Sequence, residues 1–270
     1  MTRYAPRTAD RLPPRGGATL KPYYVQPDVY NVGVGLTRRT WLRRAVAGTI
    51  GAAAIATEHA RAQPRASEFV FARLRYASGD WDYNPKVAAN VLNSLIEYTS
   101  IPVYRDEVII PADSADLLAF PFLFMTGHLL VRFSDRERRG LRRFVEQGGL
   151  LFSDDCNHDV DGLYARTFEQ EMRAIFGRAG EMPRLPATHP LYHCFFRFDT
   201  PPTTSHELNG WGDDLVHDYL RAVQQDGRIG VLYSNKDYGC EWDYDWRNKR
   251  FRREDNTRLA VNIAVYAMTS

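Results

Sequence analysis

Gly148–Gly162 reads GGLLFSDDCNHDVDG. Its two leading glycines are a helix-stop signal, and the four residues Leu150–Ser153 read as a short buried strand. The apolar run then stops. Asp154, Asp155, Cys156, Asn157, His158, Asp159 and Asp161 crowd into the next eight positions. In parallel α/β sheets, ligands collect outside the carboxyl ends of the strands. A buried strand that ends in carboxylates, a thiol and an imidazole therefore marks the functional edge.

Working outward, the flanking elements alternate. Upstream, Ser134 and Glu137 have the spacing of a capping box, opening a helix with Leu141, Phe144 and Val145 inward. Arg136, Arg138, Arg139, Arg142 and Arg143 coat its outer side. Before it, Phe122–Thr126 reads as a fully apolar strand ending in Gly127-His128, with Val108–Ile110 a shorter strand ahead of it. Earlier still, Phe69–Tyr76 alternates as a strand that puts Arg73 and Arg75 on one face. Asn84, with Pro85 at the first helical position, is expected to cap a helix reaching Thr99. Downstream, Thr167 and Gln170 suggest another capping box, and Phe195–Phe198 a strand. Asp213 or Asp214 is expected to cap a helix through Leu215, Tyr219 and Val223. Ile229–Tyr233 reads as a buried strand and Asn256–Met268 as a closing helix. The alternation predicts an α/β domain of three layers, a mostly parallel sheet with helices on both faces.

The N-terminal part reads differently. Residues 1–36 are rich in Arg, Pro and Gly without periodicity, and are expected to be disordered. Residues 37–62 carry paired Arg38 and Arg39, then Trp41-Leu42, an Ala/Gly-rich run and an Ala60-Arg61-Ala62 cleavage signal. This resembles a twin-arginine export signal cut after Ala62. It predicts an exported, periplasmic protein, membrane-anchored only if the signal is retained. The apolar run Ala45–Ala56 is too short to span about 30 Å of hydrocarbon. Residues 1–62 hold ten Lys and Arg against three Asp and Glu, whereas residues 63–270 hold twenty-five against thirty. The basic balance thus belongs to the signal, and the single domain at 63–270 is mildly acidic, with no footprint for nucleic acid. No glycine-rich phosphate cradle is present, so no nucleotide is expected.

The candidate catalytic residues are His128, Asp155, Cys156, His158, His206 and Glu207. Asp154, Asp155, His158 and His206 offer oxygen and imidazole ligands for a divalent metal, although no HExxH or EF-hand spacing occurs. Asp154 and Asp155 equally suit capping of backbone amides. Thr203–Asp214 (TTSHELNGWGDD) reads as a long polar loop. Asn235–Trp246 (NKDYGCEWDYDW) mixes aromatics and acids in a way that suits a sugar- or peptide-binding wall. The three cysteines, Cys156, Cys194 and Cys240, leave at least one without a partner in the chain.

Phe71–Asp82 (FARLRYASGDWD), Leu92–Ile101 (LNSLIEYTSI), Phe122–His128 (FLFMTGH), Leu151–Gly162 and Ser205–Asp214 together resemble a bacterial family, the domain of unknown function numbered 4159. The resemblance implies an architecture similar to class I glutamine-amidotransferase-like domains, with a flavodoxin-like sheet. His189-Pro190-Leu191-Tyr192 is similar to a segment of trehalose-utilisation-type members of that fold. Family neighbourhood implies a link to MoxR-type ATPase systems and envelope assembly. The amidotransferase nucleophile sits on a G-x-C-x-G elbow. Here Asp154, Asp155 and Asn157 surround Cys156 instead, and the carboxylates act against a thiolate. The expected function is hydrolysis by Asp and His, metal-assisted or acid–base. The competing expectation is a non-catalytic module that binds a small molecule or an envelope protein.

Overall fold

The computed structural model describes residues 67–243 and 254–270. Residues 1–36, the expected signal segment 37–62 and Trp246 lie outside these. Among the described residues, the sheet has six strands: β1 (Ala72–Arg75), β2 (Val108–Pro111), β3 (Phe122–Gly127), β4 (Leu150–Asp155), β5 (Arg221–Gln225) and β6 (Arg228–Ser234). Their order is β2-β1-β3-β4-β6-β5. Every pairing is parallel except β5 with β6. The expectation of a mostly parallel α/β sheet holds, with an antiparallel hairpin at one edge.

Side chains alternate across the pleat, so each strand feeds two cores. Phe71, Phe122, Phe124, Leu150 and Phe152 pack under helices α1 (Val87–Tyr98) and α6 (Glu254–Thr269). Leu74, Leu123, Met125 and Leu151 pack under α2 (Asp135–Glu146) and α3 (Leu163–Phe176). The central strands β3 and β4 are buried throughout, which explains their unbroken apolar runs. No helix among the described residues is long and apolar enough to cross a membrane.

Helix α2 begins as its sequence dictates. Ser134 Oγ accepts from Glu137 N–H, and the Glu137 carboxylate accepts from Ser134 N–H at 2.7 Å. Four of its arginines are exposed. Arg138 instead lies half-buried, forked onto Glu171 of α3 at 2.8 and 2.9 Å.

Four local expectations fail, each for a tertiary reason. Asn84 does not cap α1. Asp243 accepts the Lys86 N–H at 2.6 Å instead, and Asn84 takes a left-handed conformation with φ 59°. Thr167 is internal to α3, donating to the Leu163 carbonyl and accepting from Val131 N–H. Phe195–Phe198 is not a strand. The Asn262 side chain, from α6, donates to the Leu191 and Phe196 carbonyls and accepts Phe196 N–H, replacing a strand ladder. Leu215–Tyr219 is not helical. The His217 N–H donates sideways to Glu207 and its carbonyl accepts from Lys236, so neither group is free for a helix.

Candidate functional site

The strand order reverses at β1, which pairs with β2 on one side and β3 on the other. The carboxyl ends of β1 and β3 carry Asp80 and His128. One Asp80 oxygen accepts the His128 N–H at 2.9 Å and the Leu129 N–H at 3.1 Å, and the other meets His128 Nδ1 at 2.8 Å. Burial acts to raise the Asp80 carboxyl. The bonds from His128 and Leu129 outweigh it and hold the group below its usual range. An ionised carboxylate only accepts, so Nδ1 carries the hydrogen toward Asp80, and the tautomer this selects has its lone pair on Nε2. The pair is about a quarter exposed. Tyr83 packs edge-on against the imidazole at 4.0 Å between centroids. Gly127 makes room for the contact, because a Cβ there would lie 2.7 Å from Asp80 Oδ1 and 2.6 Å from the Tyr76 hydroxyl.

The loop that supplies Asp80 and Tyr83 is anchored from below. Arg73 of β1 is buried. Its guanidinium donates to Glu107 at 2.6 Å, to the Tyr83 carbonyl at 2.8 Å and to the Asn84 carbonyl at 2.9 Å, and it rests over the Phe124 ring. The Asn84 side chain is thereby aimed inward. Its Nδ2 donates to Cys156 Sγ at 3.0 Å, while Cys240 Sγ donates to its Oδ1 at 3.5 Å. Thr126 Oγ1 lies 2.9 Å from Cys156 Sγ.

Cys156 Sγ, Cys240 Sγ and a carboxylate oxygen of Asp237 all lie within 4.8 Å of one another. Burial pushes the Cys156 thiol well up, and its contacts with Cys240 and Asp237 add to this. The contact with Cys156 acts to lower the Cys240 thiol, but burial and the Asp237 charge leave it raised. Tyr83 is pushed up to about 12, by burial first and then by Cys240 and Cys156, so its phenol stays protonated. Asp237 also meets His206 Nδ1, and that bond raises the imidazole above its usual range. Asp237 opens helix α5 (Tyr238–Asp243), accepting the Cys240 N–H at 3.3 Å.

The site residues expected from sequence are distributed as follows. His128, Cys156 and His206 lie at the carboxyl edge, and Asp237 connects the last two. Asp154 and Asp155 are both fully buried and face opposite sides of the sheet, as consecutive strand residues must. Asp154 accepts from Tyr238 N–H at 3.2 Å and Gly239 N–H at 2.6 Å, and so caps α5; burial and the nearby Asp237 raise its pKa. Asp155 accepts from Asn157 N–H at 2.9 Å and lies 3.4 Å from the Tyr233 hydroxyl; burial pushes it up to about 7. His158 lies against the Asn235 carbonyl through Nδ1 and the Leu215 carbonyl through Nε2, at 2.5 and 2.8 Å. Glu207 binds Lys236 through both oxygens, at 2.6 and 2.7 Å, and completes a capping box with Thr204 at the start of the short helix α4 (Ser205–Leu208). The expected metal set of Asp154, Asp155, His158 and His206 is therefore corrected. Two of its members lie on opposite faces and each of the four has a separate partner. The structure assembles Cys156 with Asp237 and Cys240, and His158 with Asp213 and His217. Asp80, Tyr83, Asn84, Asp237 and Cys240 are the site residues that the sequence reading missed. A carboxylate directly after a strand-breaking Ser78-Gly79 was the available signal for Asp80.

A groove of about 760 Å³ opens at the β5 edge, lined by Arg178, Met182, Arg184, Tyr219 and Arg221 among others. None of the candidate residues lines it.

Residues 70–268 match the family described as Domain of unknown function (DUF4159). The chain belongs to this family. The match takes in every side chain of the edge, from Arg73 and Asp80 to Cys240. No curated protein matches the chain.

Proposed function

We propose that this DUF4159 member is an exported, hydrolase-like domain whose acid–base residue is His128. The Asp80–His128 pair at the point where strand order reverses carries this reading, because ligands of open α/β sheets bind at that crevice. Asp80 fixes the tautomer that leaves Nε2 as a base. Nε2 takes a proton from an attacking water and returns it to the leaving group. Tyr83, kept protonated, is placed to donate to the oxygen on which negative charge develops.

The finer architecture belongs to the same proposal. Parallel strands in the order β2-β1-β3-β4-β6 support a flavodoxin-like sheet of the class I glutamine-amidotransferase type. Cys156 is not the nucleophile in this reading, since its sulfur is buried, bonded to Asn84 and flanked by carboxylates. Export by the twin-arginine route places the domain in the envelope. Replacing Arg38 and Arg39 by lysine is expected to hold it in the cytoplasm, and unchanged export would refute the route.

The activity is tested on the full chain with chromogenic esters, phosphoesters, glycosides and peptides. Turnover of one class is expected, reduced on the order of 10²- to 10⁴-fold in His128→Asn and Asp80→Asn. No turnover of any class by the wild-type chain, or full turnover by His128→Asn, overturns the reading in favour of a ligand-binding module.

A further inference from the structure

We propose that Cys156, Cys240 and Asp237 bind a single zinc ion at the carboxyl edge of the sheet, with the fourth position left for water or substrate. Two parts of the fold deliver the ligands: the turn after β4 supplies Cys156, and the start of α5 supplies Asp237 and Cys240. Two thiolates and one carboxylate form a borderline-soft donor set, which suits zinc and not magnesium or calcium. Three protein ligands are the number that catalytic zinc sites use, whereas closed structural sites use four.

The surroundings point to the same conclusion. The amide of Asn84 contacts both sulfurs, and Thr126 Oγ1 contacts Cys156 Sγ at 2.9 Å. Outer partners of this kind orient metal ligands. The position of Asn84 is itself held by Arg73 and by a left-handed backbone. Gly239 keeps the approach open, because a Cβ there would lie 2.7 Å from Asn84 Nδ2. Thiols make weak hydrogen bonds, so packing two of them beside Asp154 and Asp237 gains little unless a cation joins them. The basic side chains nearby are engaged with carboxylates: Lys236 with Glu207, Arg73 with Glu107 and His206 with Asp237. A divalent ion balances two thiolates, whose protons leave to solvent as the ion binds.

The second cluster of potential ligands, His158, Asp213 and His217, does not share these features. An imidazole nitrogen has one lone pair, and both His158 nitrogens already face backbone carbonyls, whereas each Asp237 oxygen keeps a second lone pair beside its bond to His206 or Cys240 N–H.

The inference stands independently of the hydrolytic reading. The full chain, purified under reducing conditions and equilibrated with zinc, is expected to retain one zinc per chain by mass spectrometry. Cobalt in its place should give a tetrahedral visible spectrum with a thiolate charge-transfer band. Cys240→Ser and Asp237→Ala should lose both signals, and Asn84→Ala should weaken binding about 10- to 100-fold. Cys194→Ser should change neither. Circular dichroism identifies any variant that fails to fold, in which case the wild-type cobalt spectrum decides. No retained metal, a cobalt spectrum without the thiolate band, or a Cys156–Cys240 disulfide that zinc and reductant do not displace overturns the site. Zinc bound without turnover would refute hydrolysis and leave the metal site standing. Turnover by metal-stripped, reduced protein that never binds zinc would do the reverse.

Discussion

Lys236 and Asp237 are neighbours in the chain and serve opposite kinds of buried cluster. Lys236 Nζ binds both oxygens of Glu207 and the His217 carbonyl, and the backbone N–H groups of Thr204 and His217 occupy the remaining capacity of the carboxylate. Next to it, Asp213 accepts from His217, and the His158 ring lies between the Asn235 and Leu215 carbonyls. Lys236 and Glu207 are matched in charge and in hydrogen bonds. Around Asp237 the balance is different: two thiols and carboxylates face one another, and His206 is the basic group in contact. The contrast separates a clamp from a site. A buried polar group that is fully paired fixes a backbone path, here that of residues 204–217. The Asp237 cluster instead brings the donor atoms of the proposed zinc site within 4.8 Å of one another.

The largest effect should come from opening the clamp. Lys236→Met leaves Glu207 charged, buried and unpaired, which costs about 3–5 kcal/mol. Urea unfolding should show this, and Lys236→Met with Glu207→Met should recover much of it. A cost near zero for the single change would show that the cluster is not sealed from water.

Zinc should act only on the other cluster. At 100 times its dissociation constant it should stabilise the wild-type chain by about 2.7 kcal/mol. Cys156→Ser should show no such gain, and thermal melts with and without metal compare the two. If Cys156→Ser gains as much as the wild type, the ion binds elsewhere, with His158, Asp213 and His217 as the set to test next.

A smaller loss, about 1 kcal/mol, is expected for Thr204→Ala, which removes one half of the capping box. Denaturant midpoints at equal slope measure it. The last prediction concerns acid. Burial acts to raise Asp213, but its bonds from His217 and Leu215 leave its pKa below the usual value. A carboxyl lowered on folding stabilises above its unfolded pKa, about 3.9, and that contribution fades as pH falls through the folded value. Asp213→Asn should therefore flatten the acid limb of the stability curve below pH ~4 and leave neutral pH less stable. An unchanged acid limb would remove Asp213 from the clamp.

What the sequence revealed follows the range of the interactions. Helix α2 was legible because Ser134 and Glu137 bond across three residues. Strands β3 and β4 were legible because burial on both faces leaves an unbroken apolar run. Asp154 was legible as a cap but not as the cap of α5, whose amides lie 84 residues on. Asn84 has the residue type and the following proline of a helix start, yet its side chain serves a sulfur 72 residues away. The helix expected after Asp214 failed in the same way, since Lys236 and Glu207 claim the His217 backbone from outside the segment. The carboxyl edge could thus be located from the end of β4, while its membership depended on contacts that leave no local pattern.

Arg73 has a consequence for motion. One guanidinium ties the Tyr83 and Asn84 carbonyls to β1 and to Glu107 beside β2. The wall of the site that carries Asp80, Tyr83 and Asn84 is therefore not an independent flap. It opens when the β1–β2 edge opens, and amide exchange at Lys86 and Val87 should be as slow as in those strands rather than at the rate of a surface loop. Whatever binds at this edge meets a surface set before it arrives.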